Sequence, residues 1–425
     1  MNRRRQPHRI PPPISHGIES LDAGIVLHEF PDDTGLLLWK TVRGVTLWGE
    51  LPEGTRSGAF GRDAHRIRIE RLREAGIDPD VRESMETAAS VLTGQPVHVE
   101  AVVTACRHIA SWAALRGALG TALEFTQAAA HLTPGDAELI HAVARLARQR
   151  GEFARAESWY RQAIAVSRRT HDWISLAGAY LGLGGTFLRR GNYTAARQTL
   201  IRGVRAAERH SLREERGLLS HQLARVAMRT DRLAEATRHA RAALEAYGAD
   251  HPRIPALALD LGRFWCRAGY VAEARTVLLP IPPHRLNLPD RLARAAALAR
   301  AAATAGDQAG AEDAWRETRE ILRDPEAAPG SPEALLDLSH AAALAGQRER
   351  AAEMAEWARR VAEGRGDTDQ RAEAEALLRT VGEGRLLGEP LRKASRETRR
   401  LAADLALAAG AAEDDGPALP LADAV

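Results

Sequence analysis

The segment that decides the fold reads GNYTAARQTLIRG at residues 191–203, and two further stretches repeat its pattern. They read GEFARAESWYRQA at residues 151–163 and DRLAEATRHARAA at residues 231–243. In each stretch a turn residue is followed by an apolar residue two positions later and by small residues five and twelve positions later. A regular repeat of this length predicts an array of similar structural units, because each unit must bury its apolar face against the next.

Weaker copies of the pattern extend the repeat in both directions. The turn residues of the seven units are Gly117, Gly151, Gly191, Asp231, Gly269, Gly306 and Gly346. They lie 34, 40, 40, 38, 37 and 40 residues apart. An apolar stripe with a small residue precedes the turn, as Leu183, Gly184 and Phe187 do before Gly191. Each unit is therefore predicted to be a helical hairpin, in which a small residue of the first helix lets the second helix approach closely.

These residues resemble the tetratricopeptide repeat family. The matching positions are Leu183, Gly184, Gly191, Tyr193 and Ala196 in one unit, and Gly151, Phe153, Ala156, Tyr160 and Ala163 in the preceding one. The resemblance covers about residues 103–382. It implies an all-α fold, a right-handed superhelix of about seven hairpins that binds peptides or proteins in its concave groove. It does not imply an enzyme.

The chain before the repeats changes its period between residues 24 and 51. Short runs rich in β-branched and aromatic residues are separated there by Pro31–Gly35 and by Arg43-Gly44, which are typical turn sequences. We therefore expect a small three-stranded β-meander at the N-terminus.

Two helices are expected next, near residues 63–75 and 80–93. They are predicted to cap the first repeat. A degenerate helix-turn-helix is the alternative, which the acidic Glu83 and Glu86 disfavour as a surface for DNA.

The domain organisation predicted from these patterns has five parts. In chain order they are an N-terminal segment with the β-meander at 1–60, N-terminal capping helices at 61–102, a solenoid of about seven repeats at 103–382, a C-terminal capping helix at 383–410 and a disordered acidic tail at 411–425.

The composition excludes several kinds of chemistry. Of 59 basic residues only Lys40 and Lys393 are lysines, and neither lies in a phosphate-binding loop motif. Cys106 and Cys266 are expected to be buried small hydrophobic residues, with a disulfide as the alternative. The histidines form no metal-binding motif, and no nucleophile–base–acid set can be assembled. We therefore expect no enzyme, no cofactor and no small-molecule substrate.

The first residues do not predict export or membrane insertion. The basic start, Met1–Arg5, is followed by a proline-rich stretch without an apolar signal-peptide core. No apolar stretch approaches the length of a membrane span. A cytoplasmic protein without membrane contact is the expectation.

One helical position repeats arginine. Six residues before the turn, four of the seven units carry arginine, and two of the seven carry histidine one helical turn earlier. The predicted partner-binding groove consists of Arg107, His141, Arg145, Arg148, His221, Arg225, Arg229, Arg263, Arg267 and Arg300. Guanidinium groups bind carboxylates in a bidentate manner, so the partner is predicted to be acidic. The alternative is that an arginine-rich chain places arginine at any solvated helical position.

The function predicted from these features is that of a non-enzymatic scaffold or adaptor that binds an acidic segment of a protein or peptide. The alternative is a signal-sensing or peptide-sensing transcriptional regulator with a sensor domain of the same repeats. Nucleic acid is not expected as a partner, because aromatic residues for base stacking are not interleaved with the basic ones.

The charge is distributed unevenly along the chain. Residues 141–241 contain 20 arginines and 8 acidic residues, a net charge of +12. Residues 300–425 contain 17 basic and 25 acidic residues, a net charge of −8. This asymmetry would permit head-to-tail self-association or an acidic tail that folds back onto the groove.

Overall fold

The computed structural model describes residues 23–324, 332–365, 367–383 and 391–411. These residues form helices and connecting turns, with no β-strand among them, in agreement with the predicted all-α class. They fall into two compact units that divide between Glu215 and Arg216. No helix in the described ranges is long and apolar enough to cross a membrane.

The predicted N-terminal β-meander is wrong, because residues 24–51 are helical. They form α1 (Ala23–Glu29) and α2 (Asp33–Glu50). The carboxylate of Asp32 accepts a hydrogen bond from the backbone N–H of Gly35 at 3.1 Å and so caps the start of α2.

The buried side chains of α2 explain why the short apolar runs are not strands. Leu38, Val42 and Val45 are buried and recur with the helical period of about 3.6 residues, so one face of the helix enters the core. Gly44, which the sequence analysis placed in a turn, lies inside α2. A Cβ atom there would lie 3.4 Å from a methyl group of Leu92, so the glycine permits close packing.

The rest of the first unit consists of two further helices and three hairpins. The helices are α3 (Ala64–Glu74), α4 (Pro79–Ala88), α5 (Val99–Leu115), α6 (Leu119–Leu132), α7 (Ala137–Gln149), α8 (Phe153–Thr170), α9 (Trp173–Arg189) and α10 (Tyr193–Arg209). Helices α5 and α6, α7 and α8, and α9 and α10 pack as consecutive pairs. The predicted turn glycines Gly151 and Gly191 have φ values of +78° and +70°, a conformation that ends the first helix of a hairpin.

A small residue inside the first helix does allow the second helix to pack closely. A Cβ atom on Gly184 of α9 would lie 2.5 Å from Leu200 of α10, well inside van der Waals contact. The close approach expected from the sequence pattern is therefore confirmed in this hairpin.

A carboxylate of α1 fastens the N-terminal helices to the first hairpin. Glu29 accepts hydrogen bonds from the backbone N–H groups of Gly120 and Thr121, at 2.8 and 2.7 Å. These are free donors in the first turn of α6, where the helix dipole favours a negative charge. The N-terminal segment is thus held by a helix-capping interaction distant in sequence.

The second unit begins within the helix α11 (Arg213–Arg229). The helices after it are α12 (Leu233–Tyr247), α13 (Ile254–Arg267), α14 (Val271–Leu278), α15 (Leu288–Thr304), α16 (Gln308–Ile321), α17 (Pro332–Leu344), α18 (Arg348–Arg365), α19 (Thr368–Gly382) and α20 (Arg396–Ala411). Helices α13 and α14, α15 and α16, and α17 and α18 are packed hairpins.

The last helix of the second unit packs against helices from the middle of that unit. Helix α20 packs against α12, α13 and α14, with Leu401 and Leu405 fully buried. Arg241 of α12 forms an ion pair with Asp404 at 2.9 Å. The helix predicted within 383–410 therefore packs against helices from the middle of the second unit. Residues 412–425, which make up most of the predicted tail, lie outside the described residues.

Cys106 and Cys266 are both buried and are not in a disulfide, as expected from the sequence. Burial raises the pKa of the Cys106 thiol to about 12, which keeps it protonated and unreactive. Cys266 lies 3.6 Å from the backbone carbonyl of Ala297.

Candidate functional site

The predicted groove residues at the surface of the first unit lie on α5 and α7. Arg107 and Arg145 line one pocket of about 190 Å³ together with Ser111, and its walls are largely alanine and leucine side chains. The first helices of two consecutive hairpins thus bring positions six and ten residues before the turn into one site.

The two arginines of this pocket differ in their surroundings. Arg107 donates a hydrogen bond to Glu138 at 3.0 Å, and these side chains are 49% and 71% exposed. Such a solvated pair contributes little and can be exchanged for another carboxylate. Arg145 is exposed and has no ion-pair partner within the part of the chain that the structure describes. The pocket therefore offers one free and one weakly engaged guanidinium.

Two other predicted residues of α7 lie deeper. Arg148 is only 2% exposed, and its positive charge opposes the rise that burial causes in the pKa of Tyr160. The ring of His141 packs edge-on against Tyr160, with 5.5 Å between the ring centroids. Both side chains belong to the packed layer around Tyr160 rather than to the open surface of the pocket.

We expect the stability of the first unit to fall in acid because of His141. Burial, together with the charges of Arg145 and Arg148, outweighs a hydrogen bond with the backbone of Gly178 and lowers the pKa of His141 to about 4. An unfolded histidine titrates near 6.5, so the unfolded state binds the proton first and stability is lost as the pH falls from about 6.5 to about 4.

The loss attributable to this group is up to about 3 kcal/mol, measurable as the free energy of unfolding against pH. His141→Gln should flatten the curve in that window, whereas His98→Gln, at an exposed position on the same unit, should leave it unchanged. An unchanged curve in the His141 variant would contradict the assignment.

The predicted residues of the second unit are engaged by carboxylates of that unit. His221 and Arg225 of α11 contact Asp260 of α13, at 3.0 and 3.5 Å. Burial by itself would raise the pKa of Asp260, but Arg225 and the hydrogen bond from His221 outweigh it and lower that pKa to about 2. Asp260 is therefore ionised at neutral pH and contacts both predicted site residues.

A second carboxylate joins arginines from different helices. Glu333 of α17 contacts Arg229 of α11 at 2.8 Å and Arg263 of α13 at 3.1 Å. Burial would raise the pKa of Glu333, but Arg263 and Arg229 hold it at about 2. These contacts span 104 and 70 positions of the sequence.

The third carboxylate is the most buried. Asp337 of α17 contacts Arg300 of α15 at 2.8 Å and Arg263 at 3.6 Å, and Arg300 and Asp337 are 6% and 2% exposed. Arg267 is exposed, and its charge lowers the pKa of Glu333 and of Asp337. Arg225, Arg229, Arg263 and Arg300 thus form a network of ion pairs, whereas Arg267 has no ion-pair partner among the described residues.

The acidic members of this network were missed by sequence reasoning. Asp260 and Asp337 each lie nine residues before a turn glycine, Gly269 and Gly346. That shared position was a usable signal, because it places an acid on the same helical face as the arginine three residues later in the first case. Glu333 has no such repeat position, and only the packing of α17 brings it to Arg229.

One part of the chain matches a known family model. Residues 136–209 match the model of the tetratricopeptide repeat, which covers α7 to α10 of the first unit. No curated protein matches this sequence significantly.

Solved structures with similar folds share little sequence with the chain. A tetratricopeptide repeat protein from Parabacteroides merdae is 13% identical, covers 66% of this chain and 98% of its own, and has a TM-score of 0.46. Aspartyl phosphate phosphatase F from Bacillus subtilis is 13% identical, covers 91% and 99%, and has a TM-score of 0.42. BtubC from P. vanneervenii is 18% identical, covers 54% and 92%, and has a TM-score of 0.40.

Proposed function

Because this chain carries tetratricopeptide repeats over residues 136–209, we propose that it is a non-enzymatic scaffold or adaptor. It binds an acidic segment of a partner protein in the pocket between α5 and α7 of the first unit. The observation that carries the proposal is the convergence of Arg107, Ser111 and Arg145 on that pocket, with Arg145 unpaired among the described residues.

The contrast between the units supports the first unit as the binding unit. In the second unit Arg225, Arg263 and Arg300 already face Asp260, Glu333 and Asp337, so a carboxylate from a partner would have to displace one that is half-buried or, at Arg300, fully buried. Displacing a buried, hydrogen-bonded carboxylate costs several kcal/mol. In the first unit a partner's carboxylate would compete with the exposed Glu138 for Arg107 and with water for Arg145.

The surface of α4 supports a protein partner over the alternative of a DNA-binding regulator. A pocket of about 730 Å³ beside this helix is lined by Asp80, Glu83 and Glu100. Negative charge on the second helix of the candidate helix-turn-helix would repel the phosphates of DNA.

The test is binding of a fluorescein-labelled ten-residue peptide of alternating glutamate and alanine to the full chain. The double variant Arg107→Ala, Arg145→Ala should weaken binding by about tenfold or more, because each charge-assisted hydrogen bond is worth roughly 1.5–3 kcal/mol. Glu138→Gln should instead strengthen binding, because it frees Arg107 from its internal partner. Fluorescence anisotropy gives the dissociation constant of the peptide for each variant.

The control is the variant Arg71→Ala, Arg73→Ala, which removes two exposed charges from α3 of the same unit. Equal losses in the groove and control variants would mean that the peptide responds only to net charge, and the proposed groove would be wrong. A peptide with lysine in place of glutamate should not bind.

A further inference from the structure

We propose that a second surface of the first unit, formed by exposed arginines of α8 and α10 beside a stacked aromatic pair, binds single-stranded nucleic acid. This surface is here called the basic face. It is independent of the pocket between α5 and α7.

The charge of the basic face is strongly positive. Helices α8 and α10 together contain eight arginines and two glutamates. Arg202, Arg205 and Arg209 of α10 are all exposed, and none has a carboxylate partner among the residues that the structure describes. At three and seven residues from the first they lie along one stripe of the helix, about 4.5 and 10.5 Å along its axis.

The opposite charges on this face do not compensate for the arginines. Glu157 of α8 is the acceptor for both Arg161 and Arg190, the latter at 2.8 Å. Glu208 is therefore the one glutamate of α8 and α10 left for the stripe on α10. Unpaired guanidinium groups in a row are the arrangement that binds a chain of phosphates.

An aromatic stack adjoins the arginine stripe. Trp173, the first residue of α9, stacks on His210, which follows Arg209 at the end of α10; the ring centroids are 4.0 Å apart and the planes differ by 9°. His171 contacts the edge of Trp173 at 5.4 Å. Arg169, two residues before His171 in the last turn of α8, is exposed. The ends of α8 and α10 therefore meet through aromatic rings flanked by guanidinium groups.

This combination favours single-stranded nucleic acid over an acidic peptide. Sequence reasoning disfavoured nucleic acid for want of interleaved aromatic residues, but Trp173 and His210 lie 37 positions apart in sequence and are brought together only by folding. Aromatic faces stack on bases, and arginine binds the phosphates between them. Helix-end electrostatics account for Arg209 and His210 at the end of α10, but not for Arg202 and Arg205 in its middle.

The test is anisotropy of a fluorescein-labelled twenty-nucleotide oligouridylate with the full chain at several salt concentrations. Arg202→Ala, Arg205→Ala, Arg209→Ala should weaken binding at least about tenfold. The slope of log affinity against log salt should become shallower by about 2, since three phosphate contacts are lost at about 0.7 each. The matched control is Arg62→Ala, Arg71→Ala, Arg73→Ala, three exposed arginines elsewhere on the unit, which should retain the wild-type slope.

The aromatic pair is tested separately. Trp173→Leu should weaken oligouridylate binding at least about fivefold while the salt slope stays unchanged, and Trp173→Phe should retain most of the affinity. Circular dichroism verifies that each variant is folded.

Any of the following results would overturn the proposal. They are no binding at about 50 mM salt, equal losses in the arginine and control variants, or, in the Arg107→Ala, Arg145→Ala variant, tighter binding of polyglutamate than of oligouridylate. The last would identify the basic face as a protein-binding surface instead. Loss of oligouridylate binding in the Arg107, Arg145 variant would place the site in the other pocket.

Discussion

Replacing Asp337 with alanine is expected to destabilise the second unit by about 3–5 kcal/mol, because it removes a buried carboxylate that contacts both Arg300 and Arg263. Arg300 is 6% exposed and lies 2.8 Å from Asp337. Burial would raise the pKa of Asp337, but Arg300 and Arg263 outweigh it and hold the pKa below its usual value. The carboxylate is therefore charged, and its loss removes a full ion pair.

Hydrogen exchange of backbone amides in α15 and α17 gives the free energy of local opening and confines the measurement to the affected helices. The control Glu353→Ala, an exposed acid on α18, should change it by less than about 0.5 kcal/mol. The double variant Arg300→Met, Asp337→Leu should recover much of the loss, because it replaces the buried ion pair with two apolar side chains of similar size. A double variant as unstable as the single one would show that Arg300 and Asp337 stabilise the unit through the packing of their side chains rather than through their charges.

Gly182→Ala is expected to destabilise the first unit by about 2–3 kcal/mol, although alanine is the better helix former. A Cβ atom on Gly182 of α9 would lie 2.5 Å from the hydroxyl oxygen of Tyr160 and still closer to its ring. Tyr160 is itself 1% exposed, so the surrounding core leaves it little space to move aside. Chemical denaturation followed by circular dichroism measures the loss.

The same helix supplies an opposite control. A Cβ atom on Gly178, one helical turn earlier, would meet His141 at an ordinary 3.6 Å. Gly178→Ala should therefore stabilise the unit by about 0.5–1 kcal/mol. If both variants were stabilising, the result would contradict the close packing of Gly182 in α9 against Tyr160 in α8. Tyr160→Leu in the Gly182→Ala background should restore part of the stability.

Local patterns predicted the hairpins because each required residue acts within its own unit. Gly151 ends a helix through its positive φ, and Gly184 lets Leu200 approach, so both can be identified from a repeat of small residues alone. The same approach failed in residues 24–51, where short apolar runs fit a strand or a helix. The cap at Asp32 and the packing of Leu38 and Val42 decided for the helix.

The candidate site was predictable only in part. The positions of Arg107 and Arg145, ten and six residues before their turn glycines, predicted that both lie on the same helical face. The two residues do line one pocket. The sequence could not separate them from Arg263 and Arg300, which have the same or a similar phase. What distinguishes the two pairs is whether a carboxylate lies within reach, and Glu333 reaches Arg263 from 70 positions away.

By itself, the sequence determined the helical class, the turn positions and the helical face on which the arginines lie, because these depend on residues within one repeat. Tertiary structure decided which of those arginines remain free, and it placed Trp173 against His210. The physical reason is that pairing of charges and stacking of rings fall off within a few ångströms, and only folding brings distant residues that close.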